Sequence, residues 1–458
     1  MTKNDLISKV NAHFKITHTQ TKISIKTNNP TKTSTIYNIK NDNHHLDYNK
    51  DHPIKFACID CKKNTCAIHS INKYHQTIEI KQTAKEILEL FKMSHETVLL
   101  AQTQSGKSDV VKRILELFEN NEEYFKNILK IESIVIILYA SDIALLQNHQ
   151  NEFYNFIDER NIIHIPDIKK ITTHLINNTT SFKRNDITKT IVSALKQNCL
   201  IISDEAHADQ EIDSIISKFR KVIGTEFSDY TNDTIKFLNI SATAYEHVQA
   251  GVPTVILHPQ ASYYGIINMM VDNKIHQSFD LTQYTEYKDF IKHMSITFKQ
   301  KSLPIGYYII RVHSDKDEKI LHGFIKKFEL TADSIIHSYN MTSKEDINAD
   351  YLNKQPNKIT FIIIKGRLTK GYRIIKKYII AVHDTHINTH PHTTYQGLAG
   401  RMTGYNANKN ALIYCDKENI QQHLDWIKND YDKDCIPKAK YINKNGSIKE
   451  TSMLSEKV

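Results

Sequence analysis

Thr97-Val-Leu-Leu-Ala-Gln-Thr-Gln-Ser-Gly-Lys-Ser108 decides the fold of this 458-residue chain. Thr97 to Leu100 reads as a buried strand. Lys107 to Asn120 reads as an amphipathic helix, with Val110, Val111, Ile114, Leu115 and Phe118 at helical spacing. The turn between them ends in Gly-Lys-Ser. Strand, turn and helix in this order make the setting of a phosphate-binding loop, because N–H groups at a helix start point at the anion. Lys107 would reach the outer phosphates and the Ser108 hydroxyl would hold Mg²⁺, with Gln102, Thr103, Gln104, Ser105 and Gly106 around the phosphate chain. Ala101 replaces the first Gly of the general pattern, and Gln104 stands where another is common. The competing reading is an accidental Gly-Lys-Ser on an ordinary strand–turn–helix.

Further along, the apolar run Cys199-Leu-Ile-Ile-Ser203 leads into Asp204-Glu205-Ala206-His207. A carboxylate at the C-terminal end of a parallel strand sits where such sheets bind ligands. Asp204 would hold Mg²⁺, and Glu205 would orient or deprotonate an attacking water. An exposed acidic loop is the plain alternative. Phe237 to Ile240 is another apolar strand, followed by Ser241-Ala242-Thr243, and Ile134 to Leu138 is a fourth. Wholly apolar strands separated by helices mean a parallel sheet covered on both faces.

A second series starts after about residue 285. Ile305 to Val312, Ile359 to Ile364 and Tyr378 to Val382 read as strands, and Glu318 to Phe328 and Thr394 to Ala399 as helical stretches. The chain holds only 12 Gly, far below the usual share of about 7%. Gly106, Gly366, Gly371, Gly397, Gly400 and Gly404 all fall in the segments that carry the chemistry, as expected where backbone turns sharply or approaches something closely. The expected fold class is α/β, two tandem RecA-like blocks with parallel sheets flanked by helices, behind a small N-terminal module. The expected boundaries are 1–76 for the module, 77–284 and 285–434 for the two blocks, and 435–458 for a polar, frayed tail.

With these residues in view the chain resembles superfamily 2 helicases of the DEAD/DEAH-box type over roughly residues 80–415. Motif I is AQTQSGKS, motif II DEAH and motif III SAT; IIIKGRLTKGYRI resembles motif V and YQGLAGRMTGY motif VI. The wording is similar to the divergent helicases of large phages and viruses. The resemblance implies an ATP hydrolase with Mg²⁺. Gly371 and Gln396 would lie at the nucleotide, and Arg401 would reach its last phosphate from the second block. Arg367 and Arg373 are possible helpers to Arg401, and Gln82 is a candidate reader of adenine or else a member of a helix-surface pair. Two departures stand out. Gln396 is one residue further from Gly400-Arg401 than usual, and Gly404 occupies the place of the last Arg.

Outside the motor, Cys58-x-x-Cys61 is followed by Cys66-x-x-His69, a set that could close a tetrahedral zinc site. His52 and His75 are alternative ligands, and reduced, buried cysteines are the plain alternative. Composition supports a globular chain, with 40% hydrophobic and 24% charged residues. No apolar run spans a bilayer and the N-terminus is too polar for a signal peptide, so an intracellular protein is expected, cytoplasmic or in host cytoplasm if viral. The net charge is +9, and the first 50 residues hold eight Lys against three Asp, with no Glu or Arg. That balance suits a polyanion or, equally, a solvated tail. The expected partner is nucleic acid, DNA ranked ahead of RNA although no residue separates them, with no membrane contact and a monomer sufficient. The expected function is an ATP-dependent helicase or translocase. The rivals are a remodelling ATPase without processive unwinding and a binding protein with a decayed ATPase.

Overall fold

The computed structural model describes residues 19–25, 34–40, 67–138, 153, 157, 161–177, 187–204, 215–226, 229–230, 232–300, 302–327, 334–340, 342–343, 345–368, 373–385, 391–442 and 448–451. The chain forms two compact units, Met1–Glu79 with Gln260–Ser262, and Ile80–Pro259 with Tyr263–Val458. In the first unit Thr19–Ile25 and Ser34–Lys40 pair as antiparallel strands, in keeping with the alternation of apolar and polar residues there. Both expected blocks lie within the second unit.

Helix α1 (Ala67–Leu90) starts well before the apolar periodicity at Gln82 betrays it. Its residues Ala84, Ile87 and Leu88 are buried, with Phe91 just beyond, one stripe at helical spacing. Next come β1 (Glu96–Ala101) and α2 (Lys107–Asn120), then β2 (Ser133–Leu138), β3 (Ile162–His164), α3 (Ile165–Asn177) and α4 (Ile187–Leu195). Strand β4 (Cys199–Asp204), α5 (Ile215–Val222), β5 (Ile235–Ser241) and β6 (Thr254–Leu257) complete the first block. The six strands are parallel throughout, in the order β6-β1-β5-β4-β2-β3.

Alternation along the strands divides the core in two. Ile134, Ile136 and Leu138 of β2 join Leu200 and Ile202 of β4 in a layer with Ala84, Ile87, Val110 and Ile114 from α1 and α2. Val135, Ile137, Cys199 and Ile201 face the other way, onto Ile168, Ile191 and Phe219 of α3, α4 and α5. A strand buried on both faces has no place for a polar alternate residue, which is why these strands read as unbroken apolar runs. Each large side chain taken from water stabilises the fold by about 1.5–3 kcal/mol.

The second block repeats the plan with β7 (Ile275–Gln277), α6 (Tyr284–Phe298), β8 (Tyr307–Val312), α7 (Asp315–Lys327), β9 (Ser334–Asn340), β10 (Ile359–Lys365), β11 (Ile379–Asp384) and β12 (Leu412–Cys415). These strands too are all parallel, in the order β7-β12-β11-β8-β10-β9. Tyr287, Phe290 and Met294 of α6 and Leu321 and Ile325 of α7 pack on Tyr308, Ile310, Phe361 and Ile363. The architecture is therefore the expected one, two tandem RecA-like blocks of helix-flanked parallel sheet. Three details differ from expectation. Ile275–Gln277 lies in the second sheet, on the near side of the boundary expected at residue 285. The helical stretch expected over Thr394 to Ala399 is broken at Gly397 into α8 (Pro391–Gln396) and α9 (Leu398–Arg401), followed by α10 (Lys417–Lys428). Within the expected frayed tail, Ala439–Ile442 and Ile448–Thr451 pair as antiparallel strands. Among the described residues no helix is long and apolar enough to cross a membrane.

Candidate functional site

Neighbouring strands of a parallel sheet end at one edge, so the C-terminal ends of β1, β4 and β5 lie together. The turn after β1 runs from Gln102 to Gly106, and α2 begins at Lys107. Gly106 holds φ at 112°, and this helix start carries no side-chain cap. Its first-turn N–H groups are therefore not spent on a capping side chain, the arrangement that receives an anion. Lys107 and Ser108 are half-buried in the first turn. Within the loop the Ser105 hydroxyl donates to the Gln102 carbonyl at 2.7 Å, which holds the turn closed. Asp204 is the last residue of β4 and half-buried. Ser241 ends β5, and its hydroxyl accepts from the Thr243 N–H at 3.0 Å.

The second block meets this edge with α8, α9 and the turn that follows. Gln396 donates to Thr243 Oγ1 at 2.5 Å and to Ser241 Oγ at 3.3 Å, so the end of α8 is bonded directly to the segment that follows β5. Thr103 and Thr403 pair through their hydroxyls at 2.9 Å. Gln104 Nε2 donates to the Arg401 carbonyl at 2.9 Å, and the Lys376 ammonium donates to Gln104 Oε1 at 2.7 Å and to the Thr403 carbonyl at 2.6 Å. Burial, with Arg373 nearby, pushes the Lys376 pKa down to about 8. Gly400 fits because it has no side chain; a Cβ there would overlap the Tyr395 carbonyl and stand 3.0 Å from Thr103 Cγ2.

The arginines divide. Arg401 is buried, and its Nε donates to the Leu368 carbonyl at 2.9 Å. Arg311 of β8 donates to the same carbonyl at 2.8 Å and pairs with Asp384 at 3.0 Å. Arg367 is tied to its own block, bonding Tyr339 Oη at 2.8 Å and the Ser343 carbonyl at 2.6 Å over the Tyr339 ring. Arg373 Nη2 lies 3.4 Å from Ser108 Oγ, across the cleft.

The segment joining the blocks contributes as well. Tyr263 donates from its hydroxyl to the Thr103 carbonyl, and Tyr264 forms an antiparallel bridge with Gly404. Both tyrosines are buried packing residues, as are Tyr307 and Tyr308. A second contact between blocks is aromatic. Tyr245, just after β5, bonds His423 Nδ1 at 2.7 Å and lies edge-on to Trp426 at 4.8 Å, with the Tyr395 ring tilted against His423 at 3.6 Å.

Thus Lys107, Ser108, Asp204, Gln396 and Arg401 are gathered at the facing edges of the two sheets. Gln82 stands apart on the exposed side of α1 and donates to Glu86 one turn on, at 2.9 Å. Glu205 and Gly371 lie outside the described residues. So do Cys58, Cys61 and Cys66, and of His69 only the helical backbone is described. Among the described residues no three His, Cys, Asp or Glu come together as a metal set. The backbone donors of the loop, an ammonium, a hydroxyl and a strand-end carboxylate are the groups that a magnesium–nucleotide complex takes, anion donors for the phosphates and hard oxygens for the metal. Sequence reading missed Thr403, Lys376, Arg311 and Tyr263. Arg311 did leave a signal, a lone charge inside the apolar strand Tyr-Tyr-Ile-Ile-Arg-Val.

No protein-family model matches the chain. It is 34% identical over 397 residues to uncharacterized protein L594 of Acanthamoeba polyphaga mimivirus, a match covering 83% of this chain and 95% of that protein. The chain belongs to the family of L594. Among solved structures it is similar to the Escherichia coli DExH-box NTPase HrpB, with a TM-score of 0.46 and 12% identity over 75% of this chain and 42% of HrpB. It is also similar to Saccharomyces cerevisiae Dbp5 bound to RNA and ADP BeF3, with a TM-score of 0.40 and 14% identity over 72% of this chain and 82% of Dbp5.

Proposed function

We propose that this chain is an ATP-driven motor acting on nucleic acid, a helicase or translocase. The observation that carries the reading is the pairing of edges. The uncapped start of α2 belongs to one parallel sheet and the Arg401 turn to the other, and Thr103–Thr403, Gln104–Arg401 and Gln396–Thr243 bring them into hydrogen-bond contact. A site divided in this way is complete only when the blocks are together, so chemistry and relative movement of the blocks are linked.

In this reading the loop N–H groups and Lys107 would bind the phosphates, Ser108 and Asp204 would hold Mg²⁺, and Glu205 would position the attacking water. Arg401 neutralises charge as the last phosphate is transferred, and Gly371 gives the backbone room beside the nucleotide. Bound ATP with its Mg²⁺ supplies the phosphoanhydride bond whose hydrolysis drives the cycle. The polyanionic partner crosses both blocks, with DNA ranked ahead of RNA. Phosphate contacts would then make its binding fall steeply with salt.

The test is ATP turnover without nucleic acid and with single-stranded DNA, forked DNA and RNA in turn, for the natural chain and Lys107→Ala. Turnover should rise with a polynucleotide and vanish in the variant while its melting temperature stays put. Natural-rate hydrolysis by Lys107→Ala would falsify the motor assignment. Displacement of a labelled strand from the fork separates unwinding from translocation or remodelling.

A further inference from the structure

Gln104 is an odd residue for its place. Its backbone is left-handed, with φ at 58°, a conformation that glycine adopts freely and an L side chain does not. The strain is offset from across the cleft. The side-chain amide donates to the Arg401 carbonyl at 2.9 Å and approaches the Gly400 carbonyl at 3.4 Å. Its oxygen accepts from Lys376 at 2.7 Å, and the same ammonium grips the Thr403 carbonyl. Gly404 leaves the space; a Cβ there would stand 3.3 Å from Gln104 Oε1 and 3.4 Å from Lys376 Nζ. Both ends of this one amide are thus committed to the second block, on residues flanking the arginine. A glycine at position 104 would relieve the backbone and make none of these bonds.

We propose that Gln104 is a positioning residue for Arg401: its side chain clasps the arginine-bearing turn to the phosphate loop, and Lys376 locks the clasp. The kinetic consequence rests on the ATPase reading above, but the clasp itself does not, since every bond in it joins two groups of this chain. Because the loop that receives phosphates also holds the turn carrying the arginine, the two halves of the site come into register as one body.

Gln104→Gly, Lys376→Met, the double variant and Lys376→Arg test this in the full chain. Two readouts are taken. One is fluorescence of Trp426, the single tryptophan, which packs against Tyr245 between the blocks; the other is kcat and KM for ATP. Losing a hydrogen-bonded charged contact is expected to lower kcat about 10- to 100-fold in each single variant. KM should move far less, and Trp426 emission should shift to the red without nucleotide. The double variant should be no worse than the worse single one, since both break one clasp, and Lys376→Arg should recover most of the rate. Natural kcat in Gln104→Gly, or effects that multiply in the double variant, would overturn the proposal. Glycine is the less strained residue at this backbone, so loss of folding does not mimic the result. If the natural chain hydrolyses no ATP, fluorescence decides alone. Unshifted emission in Gln104→Gly then overturns the clasp, and a red shift upholds it while the motor reading falls.

Discussion

At position 404 the helicase pattern has an arginine, and this chain has a glycine with φ at 120°. That backbone turns the chain back to bridge Tyr264, with N–H to carbonyl distances of 3.1 and 3.2 Å, and no L side chain sits there without strain. The departure is therefore structural: the residue spends its conformation on the joint between blocks, and the guanidinium is given up. In the proposed motor, charge neutralisation would then fall on Arg401 or on Arg373, the guanidinium beside Ser108. We expect Arg401→Ala to cut kcat by about 10³–10⁵ while ATP affinity changes little. Kinetics and nucleotide binding measured side by side for Arg401→Ala and Arg373→Ala check this. A near-natural rate for the first and a collapse for the second would transfer the role to Arg373. Lys107 and Asp204 stood out in the sequence because each follows a buried strand, and Arg401 because the resemblance to a known motif singled it out. Lys376 and Thr403 were not, because they act only through a tertiary approach to residues about three hundred positions away.

One element-level contact carries the far end of the first sheet. Arg220 of α5 donates from Nη2 to both oxygens of Glu96 at 2.9 Å, and Asn239 of β5 reaches the same carboxylate at 2.5 Å. All three are buried, and the guanidinium also lies 4.4 Å over the Phe237 ring. Burial drives the Glu96 pKa up, against the pull of Arg220. Removing one partner strands the other in a dry interior, so Arg220→Met should cost about 3–5 kcal/mol in denaturant unfolding. Arg220→Met with Glu96→Gln should recover much of that loss; a double variant as unstable as the single one would show that the carboxylate is not the cause. The elements themselves were unevenly readable. Strands β1, β2, β4, β5 and β10 announce themselves because both faces are buried, and α2 matches its expected span residue for residue. The short β3 and β7 have too few residues for a period, and β9, Ser-Ile-Ile-His-Ser-Tyr-Asn, is largely half-exposed at its sheet edge, so its apolar signal is diluted. The break at Gly397 also escaped, since periodicity continues across a one-residue kink.

At the scale of the whole molecule, two of the buried histidines among the described residues are held away from their charged form by burial. His383 accepts from the Phe279 N–H in the second core, and His423 is bonded to Tyr245 between the blocks. Burial lowers each pKa to about 3, against an unfolded value of about 6.5. A depressed histidine takes up its proton on unfolding, so the stability it allows is complete above pH 6.5 and is lost as pH falls towards 3. Two such groups should remove about 4 kcal/mol between pH 7 and 5. Urea unfolding at the two pH values reads this, and His383→Gln should flatten the slope by about half; equal stability at both would count against neutral burial. The path between the blocks has its own consequence. From Tyr263 to Lys274 the chain is stitched by the Tyr263 hydroxyl to the phosphate loop, by Tyr264 to Gly404, and by the Lys274 carbonyl to the Ile413 N–H at 2.8 Å. A connector fastened on both sides is no slack tether, and a protease that finds domain linkers by their looseness meets at Lys274 a backbone already taken up by the second sheet.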